Sequence, residues 1–228
     1  MIKLIDILEN KILVPRRGKE ERAKNYNIAT QKKIQQYIKD GGKGKLDLYN
    51  IPITSLPDNL TKVGGNLDLR KTSITSLPDN LKVGGDLDLE KSSITSLPNN
   101  LKVGGDLDLE KSSITSLPNN LKVRGDLDLN DTPITSLPDN LKIGGSLNLR
   151  NTPITSLPDN LKVGGDLDLE KSSITSLPNN LKVGGNLYLA DTPLSKKYSK
   201  EEIRQMIEDK GGKVTTQFSR FQFMLLSS

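Results

Sequence analysis

Carboxylates at alternate positions are the first feature of this sequence that could do chemistry. Between Gly84 and Val103 the chain reads GGDLDLEKSSITSLPNNLKV, in which single leucines separate Asp86, Asp88 and Glu90. Such alternation is typical of a β-strand and places all three carboxylates on one face of a sheet. Closely spaced carboxylates can serve as general acids and bases, hold divalent cations or bind basic surfaces.

The carboxylate pattern repeats along the chain. The triplet Leu-x-Leu begins at Leu46, Leu67, Leu87, Leu107, Leu127, Leu147, Leu167 and Leu187, with a spacing of 21 residues once and 20 residues six times. A fixed period of this length indicates a solenoid, in which each unit packs on its neighbours. The carboxylates are therefore expected to form columns that run across neighbouring strands of one sheet.

Three polar columns are predicted on this face. The first precedes the leucine pair: Asn66, Asp86, Asp106, Asp126, Ser146, Asp166 and Asn186. The second lies between the leucines and is called the aspartate row: Asp47, Asp68, Asp88, Asp108, Asp128, Asn148, Asp168 and Tyr188. The third follows them: Arg70, Glu90, Glu110, Asn130, Arg150 and Glu170. Together the three columns make up the acidic face.

The acidic face is the predicted partner-binding surface. Like charges on neighbouring strands repel, and a basic protein or peptide would relieve that cost. The residues expected to bind it are Asp68, Asp86, Asp88, Glu90, Asp106, Asp108, Glu110, Asp126, Asp128, Asp166, Asp168, Glu170 and Tyr188. One alternative is that these acids only keep a flat sheet soluble. Others are a spacer or assembly element that self-associates through a basic end, or a site for divalent cations.

Catalysis is the least favoured class of function. Catalytic carboxylates need distinct environments that separate their pKa values, whereas a copied pattern on an open sheet repeats one environment. The sequence contains no Cys and no His, which excludes disulfides and triads that use His as the base. No loop has the spacing of a dedicated calcium site. We therefore expect no catalytic residue, no metal ligand and no cofactor.

Each unit also carries six apolar positions and the signals of a return path. In one unit the apolar positions are Leu87, Leu89, Ile94, Leu97, Leu101 and Val103. The Leu-Pro step favours an extended chain, Pro-Asn-Asn-Leu favours a tight turn or a 3₁₀ segment, and the Gly pair turns the chain into the next strand. Six aliphatic side chains cannot close a core alone, so the units must stack.

The pattern L-x-L-x-x-(T/S)-x-I-x-x-L-P, in eight copies over residues 46–194, resembles the leucine-rich repeat in its short 20-residue bacterial form. The resemblance implies a leucine-rich-repeat solenoid of the α/β class, with short parallel strands and extended or 3₁₀ return segments. It also implies protein binding on the strand (concave) face. The family usually has Asn where this chain has Thr72, Ser92, Ser112, Thr132, Thr152, Ser172 and Thr192. We expect these hydroxyls to make weaker versions of the same turn hydrogen bonds.

Segments 1–45 and 195–228 are predicted to be helical caps, the second with an apolar tail. A helix over 19–39 would use an apolar side that Gly41 and Gly42 terminate: Ile28, Ile34, Tyr37 and Ile38. A helix over 199–210 would begin with a capping box of Ser199 and Glu202 and cover the last unit with Ile203, Met206 and Ile207. The sequence KVTTQF could add a final strand. With the repeat, these flanks are similar to predicted leucine-rich-repeat proteins of marine tailed phages.

Charge and hydropathy bound the remaining possibilities. The net charge is +5, but residues 46–194 carry 14 Lys and Arg against 19 Asp and Glu, so the middle is acidic and both ends are basic. A uniformly basic nucleic-acid binder would not show this split, and no nucleic-acid or membrane partner is expected. The sequence lacks the apolar run of a signal peptide, which predicts a soluble, cytoplasmic protein (in the host cytoplasm if it is viral). A column of threonines makes ice binding a minor alternative: Thr54, Thr75, Thr95, Thr115, Thr135, Thr155 and Thr175.

Overall fold

The computed structural model describes residues 19–214. In this range the chain winds through successive 20-residue units and forms two parallel β-sheets of eight strands each. Helices lie at both ends of the coil. The architecture is a leucine-rich-repeat solenoid with helical caps, as the repeat pattern predicts.

The first sheet, called the front sheet, is the predicted one. Its two-residue strands are Leu46–Asp47, Leu67–Asp68, Leu87–Asp88, Leu107–Asp108, Leu127–Asp128, Leu147–Asn148, Leu167–Asp168 and Leu187–Tyr188. Leucine lies opposite leucine in the register, and Asp88 lies between Asp68 and Asp108. The 20-residue period therefore brings the aspartate row together on one face.

A second parallel sheet, called the back sheet, runs along the return segments and was not predicted. Its strands are Lys62–Val63, Lys82–Val83, Lys102–Val103, Lys122–Val123, Lys142–Ile143, Lys162–Val163, Lys182–Val183 and Lys213–Val214. Each of the first seven exposes its lysine and buries its aliphatic residue. The alternating segment Leu-Lys-Val is only three residues long, too short for its period to separate a strand from a turn.

The core lies between the two sheets and contains every predicted apolar position. In one unit, Leu107, Leu109 and Ile114 are fully buried, and the other three positions are at most 8% exposed. The tight turn of the return path forms as expected, and in the preceding unit the Leu101 N–H closes it on the Pro98 carbonyl at 3.1 Å. Stacking continues this arrangement from unit to unit, so one hydrophobic core runs the length of the coil.

The buried hydroxyl column behaves in two ways. Thr72, Thr132 and Thr152 donate hydrogen bonds of 2.6 to 2.7 Å to the leucine carbonyl three residues earlier, and Thr192 makes the same bond at 2.9 Å. The three serines, Ser92, Ser112 and Ser172, are buried without a hydrogen-bond partner for Oγ. The expected turn bonds thus form only where the residue is threonine, and they remain within one unit.

The N-terminal cap is helix α1, Lys19–Lys39. Ile34 is fully buried against the first unit, and Tyr37 and Ile38 pack beside it. Ile28, predicted on the same apolar side, is 47% exposed instead, because it lies about 120° around the helix from Ile34, whereas the buried Thr30 lies about 40° from it. Gly42 N–H donates to the Tyr37 carbonyl at 3.0 Å and ends the helix where the glycine pair predicts.

The C-terminal cap comprises helices α2, Pro193–Lys197, and α3, Lys200–Asp209. The predicted capping box at the start of α3 forms, and Ile203 and Ile207 are buried. Only the first two residues of the predicted final strand are described, and they extend the back sheet. The rest of that strand, the apolar tail, and residues 1–18 of the predicted N-terminal cap lie outside the described residues. No helix in the described part is long and apolar enough to cross a membrane.

Candidate protein-binding surface

The aspartate row is held in place by backbone hydrogen bonds. Each aspartate accepts a bond at Oδ1 from the backbone N–H two residues later. For Asp108 the donor is Glu110, at 2.8 Å. The pattern fixes the carboxylate at the end of its short strand and leaves Oδ2 for other partners. Asn148 accepts the equivalent bond from Arg150 at 3.0 Å, so the geometry does not require a charge.

Neighbouring side chains compensate the negative charges of the aspartate row to different degrees along its length. Arg70 contacts Oδ2 of Asp68 at 2.6 Å and Oδ2 of Asp88 at 3.0 Å. Toward the other end, Asn148 Nδ2 donates to Asp128 Oδ2 at 3.0 Å. Asp108 lies between these two, and among the described residues its Oδ2 has neither a hydrogen bond nor an ion pair. Asp168 Oδ2 also has neither among the described residues, but its register partners are Asn148 and Tyr188, whereas both partners of Asp108 are aspartates, so Asp108 is the least compensated member of the row.

The pKa values of the aspartate row agree with this uneven compensation of charge. The pKa of Asp108 is raised to about 6, chiefly by burial; the backbone hydrogen bond from Glu110 opposes the rise, and the charges of Asp88 and Asp128 add to it. Burial likewise raises the pKa of Asp88, where Arg70 opposes the rise, and of Asp128, where the Asn148 amide opposes it. The pKa of Asp168 is also raised by burial. An ionised row is thus costly at neutral pH.

The first column has a structural role that sequence reasoning missed. Asp86 Oδ1 accepts a hydrogen bond from the backbone N–H of Asp106 at 3.0 Å, and Asp106 accepts one from Asp126 at 2.8 Å. Asn66, Ser146 and Asp166 continue the ladder. The signal was present in the sequence, because every member of the column is Asp, Asn or Ser, all of which can accept a hydrogen bond.

The ladder also explains the second glycine of each pair. A Cβ built on Gly105 would overlap Oδ1 of Asp86, and one on Gly125 would overlap Oδ1 of Asp106. The aspartate side chain thus occupies the space that a side chain at the second glycine would need. This close approach, rather than a positive φ, requires glycine there.

The third column is largely neutralised within the chain. Glu90 pairs with Lys91, which lowers the pKa of Glu90, and Glu110 pairs with Lys111. Glu170 pairs with Arg150 and is only 5% exposed, although it was expected on the open surface. These three predicted site residues therefore lie beside the aspartate row, but each of them forms an ion pair with a neighbouring lysine or arginine.

Aromatic residues stand at both ends of the face. Tyr188, a predicted site residue, donates through its hydroxyl to Asp166 Oδ2 at 3.3 Å and packs in register with Asp168. At the other end Tyr49 is 39% exposed, with the guanidinium of Arg70 5.1 Å from its ring centroid. Sequence reasoning missed Tyr49, because its contact with Arg70 depends on the stacking of two units.

The carboxylates of the acidic face are arranged to attract cations. No group of three or more Asp or Glu residues in the described part is arranged to hold a metal ion. At the centre of the face, four carboxylates form no ion pair with any residue between 19 and 214: Asp106, Asp108, Asp126 and Asp128. They span adjacent strands and form a flat anionic surface that fits basic side chains.

Comparison with known proteins adds little to this geometry. No family model matches the chain, and no curated protein matches it. Among solved structures the chain is similar to "YopM from Yersinia enterocolitica WA-314", at 20% sequence identity and a TM-score of 0.46. The alignment covers 82% of this chain and 45% of that one, so this chain spans less than half of that protein.

Proposed function

We propose that this chain is a non-catalytic protein-binding module whose acidic face binds a basic protein or peptide. The observation that carries the proposal is the position of Asp108, which is half-buried between two register partners of the same charge and forms no ion pair with another described residue. A lysine or arginine from a partner that approaches Oδ2 would supply the missing counter-charge. Within the chain, Arg70 makes such a contact with Asp88, which lies on the strand next to that of Asp108.

A binding role fits the row better than acid–base catalysis does. The pKa values of Asp88, Asp108, Asp128 and Asp168 all shift upward, with burial as the largest cause for each. A general acid and its base need environments that move their pKa values apart. Repeated equivalent charges instead favour recognition of an extended cationic surface, with a strong dependence on salt.

The test measures the affinity of the full chain for a fluorescent oligolysine peptide by anisotropy. A front variant carries Asp88→Asn, Asp108→Asn and Asp128→Asn, which keep the backbone hydrogen bond that Asn148 already makes. We expect the front variant to bind at least about fivefold more weakly than the parent chain, since each close charge pair contributes about 1 kcal/mol or more. Binding should also weaken as the pH falls through about 6, where Asp108 becomes protonated.

A matched control changes the same charge elsewhere. Asp58, Asp79 and Asp139 lie on the return segments, and other units carry Asn at the same position, as Asn99 and Asn119 show. The triple Asn variant at these positions should bind the peptide as the parent chain does. Equal loss in both variants, or no loss in the front variant, would reject the acidic face as the binding surface.

A further inference from the structure

The back sheet carries an ordered row of cations that the proposed function leaves unused. The lysine row consists of the exposed residues Lys62, Lys82, Lys102, Lys122, Lys142, Lys162, Lys182 and Lys213. Its members are register partners across neighbouring strands, so they repeat at about the 4.8 Å separation of strands in a sheet. None of them forms an ion pair with another described residue.

The centre of the lysine row is its most positive part. Lys82, Lys102 and Lys122 line a surface groove of about 570 Å³ together with Arg124. The turn before Lys102 and the turn before Lys122 carry Asn99 and Asn119, and the turn before Lys182 carries Asn179, whereas the equivalent residues of the other units are Asp58, Asp79, Asp139 and Asp159. The units of Lys102 and Lys122 therefore lack the turn carboxylate, and the second of them also gains Arg124.

Arg124 strengthens this observation because it stands where the other complete repeats have a closely packed glycine. A Cβ built on Gly104 would overlap the carbonyl oxygen of Gly84, and one on Gly144 would overlap the carbonyl oxygen of Arg124 itself. A side chain at this position thus needs a local shift of the stacked backbone. The one complete repeat that carries a side chain there has an exposed cation, at the centre of the row.

The aspartate row and the lysine row match in spacing and in position. Both derive from the same register of 20-residue units, so their charges repeat at the same distance. Their charged centres also fall in the same units, with Asp108 on the front sheet and Lys102 and Lys122 on the back sheet. The two rows point outward from different sheets with the core between them, so one copy cannot pair its own rows.

We propose that a second copy of this chain binds with its lysine row on the aspartate row of the first. This inference rests on the acidic face being the binding surface and names its partner. Because the two contacting surfaces differ, the contact leaves one free row of each kind, and further copies can add to form a stack. The contact is between opposite charges near solvent, so added salt should weaken it.

The test compares the mass of the full chain in solution by sedimentation velocity, at low and high salt. The front variant is the triple Asn variant defined above, and a back variant carries Lys102→Gln, Lys122→Gln and Arg124→Gly. We expect the parent chain at low salt to sediment as species heavier than its 25.0 kDa monomer, and to return to monomer at high salt. Each variant alone should remain monomeric.

Mixing the two variants gives the decisive result. The front variant keeps its lysine row and the back variant keeps its aspartate row, so an equal mixture should form dimers that cannot grow further. A monomeric parent chain at low salt, or a mixture that stays monomeric while circular dichroism shows both variants folded, would overturn the inference. If the parent chain is monomeric but its lysine row binds a labelled polyanion such as heparin, the inference also falls, in favour of that occupant.

The outcome separates this inference from the proposed function. A parent chain that binds oligolysine through the acidic face but does not self-associate would retain the proposed function and lose only the second copy as its partner. A chain that does neither would lose both.

Discussion

Asp108 concentrates the electrostatic cost of the acidic face in one side chain. Its pKa of about 6 lies above the value of about 3.9 for an aspartate in an unfolded chain. The folded state therefore binds the proton more tightly than the unfolded state does. The resulting stabilisation is fully present below about pH 4 and is lost as the pH rises through about 6.

Asp108→Asn should therefore stabilise the chain at neutral pH. The amide keeps the Oδ1 acceptor and removes the charge, so we expect the free energy of unfolding near pH 7.5 to rise by about 1 kcal/mol, a value discounted for solvent screening. Near pH 4 the gain should disappear. Urea denaturation at both pH values measures it. Asn148→Asp is the opposite control, and a gain from Asp108→Asn that is equal at both pH values would contradict the electrostatic explanation.

The unpaired serine hydroxyls give a second prediction for single residues. Ser112→Thr introduces the side chain that Thr132 carries in the next unit, where Oγ1 donates to the Leu129 carbonyl at 2.6 Å. Satisfying a buried hydroxyl should raise the free energy of unfolding by about 1 kcal/mol. Thermal denaturation checks it, with Thr132→Ser as the reverse change. A loss of stability in Ser112→Thr would show that the serine site cannot hold the methyl group.

Stacked units are coupled by the ladder of the first column. Gly105→Ala should cost about 2 kcal/mol or more, because the added Cβ overlaps the Asp86 side chain of the preceding unit. In the double variant with Asp86→Ala that overlap disappears, so the two costs should be clearly less than additive. A double-mutant cycle in urea measures the coupling. Additive costs would indicate that the ladder does not set the glycine requirement.

Much of the element-level structure follows from local sequence. The capping box at Ser199 and the glycines that end helix α1 use short-range chemistry, and both form as predicted. The back sheet could not be predicted, because each strand is two residues long and is stabilised by pairing with the next unit. The exposure of Ile28 follows from its position about 120° around helix α1 from Ile34, which the angular period of the helix gives and the simple list of apolar residues does not.

At the scale of the whole molecule, one repeat produces two charged faces of opposite sign. The columns of the acidic face were predictable because the 20-residue period alone places equivalent residues on neighbouring strands. The neutralisation of Glu170 by Arg150 was not, because it depends on rotamers of two side chains in different units. The lysine row was not predicted because the back sheet was not predicted. A lysine in a turn is not expected to lie beside the equivalent lysine of the next unit.

The proposed function requires that Asp108, at the centre of the aspartate row, is an uncompensated anionic group open to a basic partner. Carbon-detected NMR titration of the Asp108 carboxyl group tests it most directly, in the back variant so that association of copies does not interfere. We predict a pKa of about 6 for the free chain and a clearly lower pKa with saturating oligolysine, because bound cations favour the ionised form. A pKa for Asp108 that the peptide leaves unchanged, or one near 4 in the free chain, would show that the aspartate row is not the binding surface for cations.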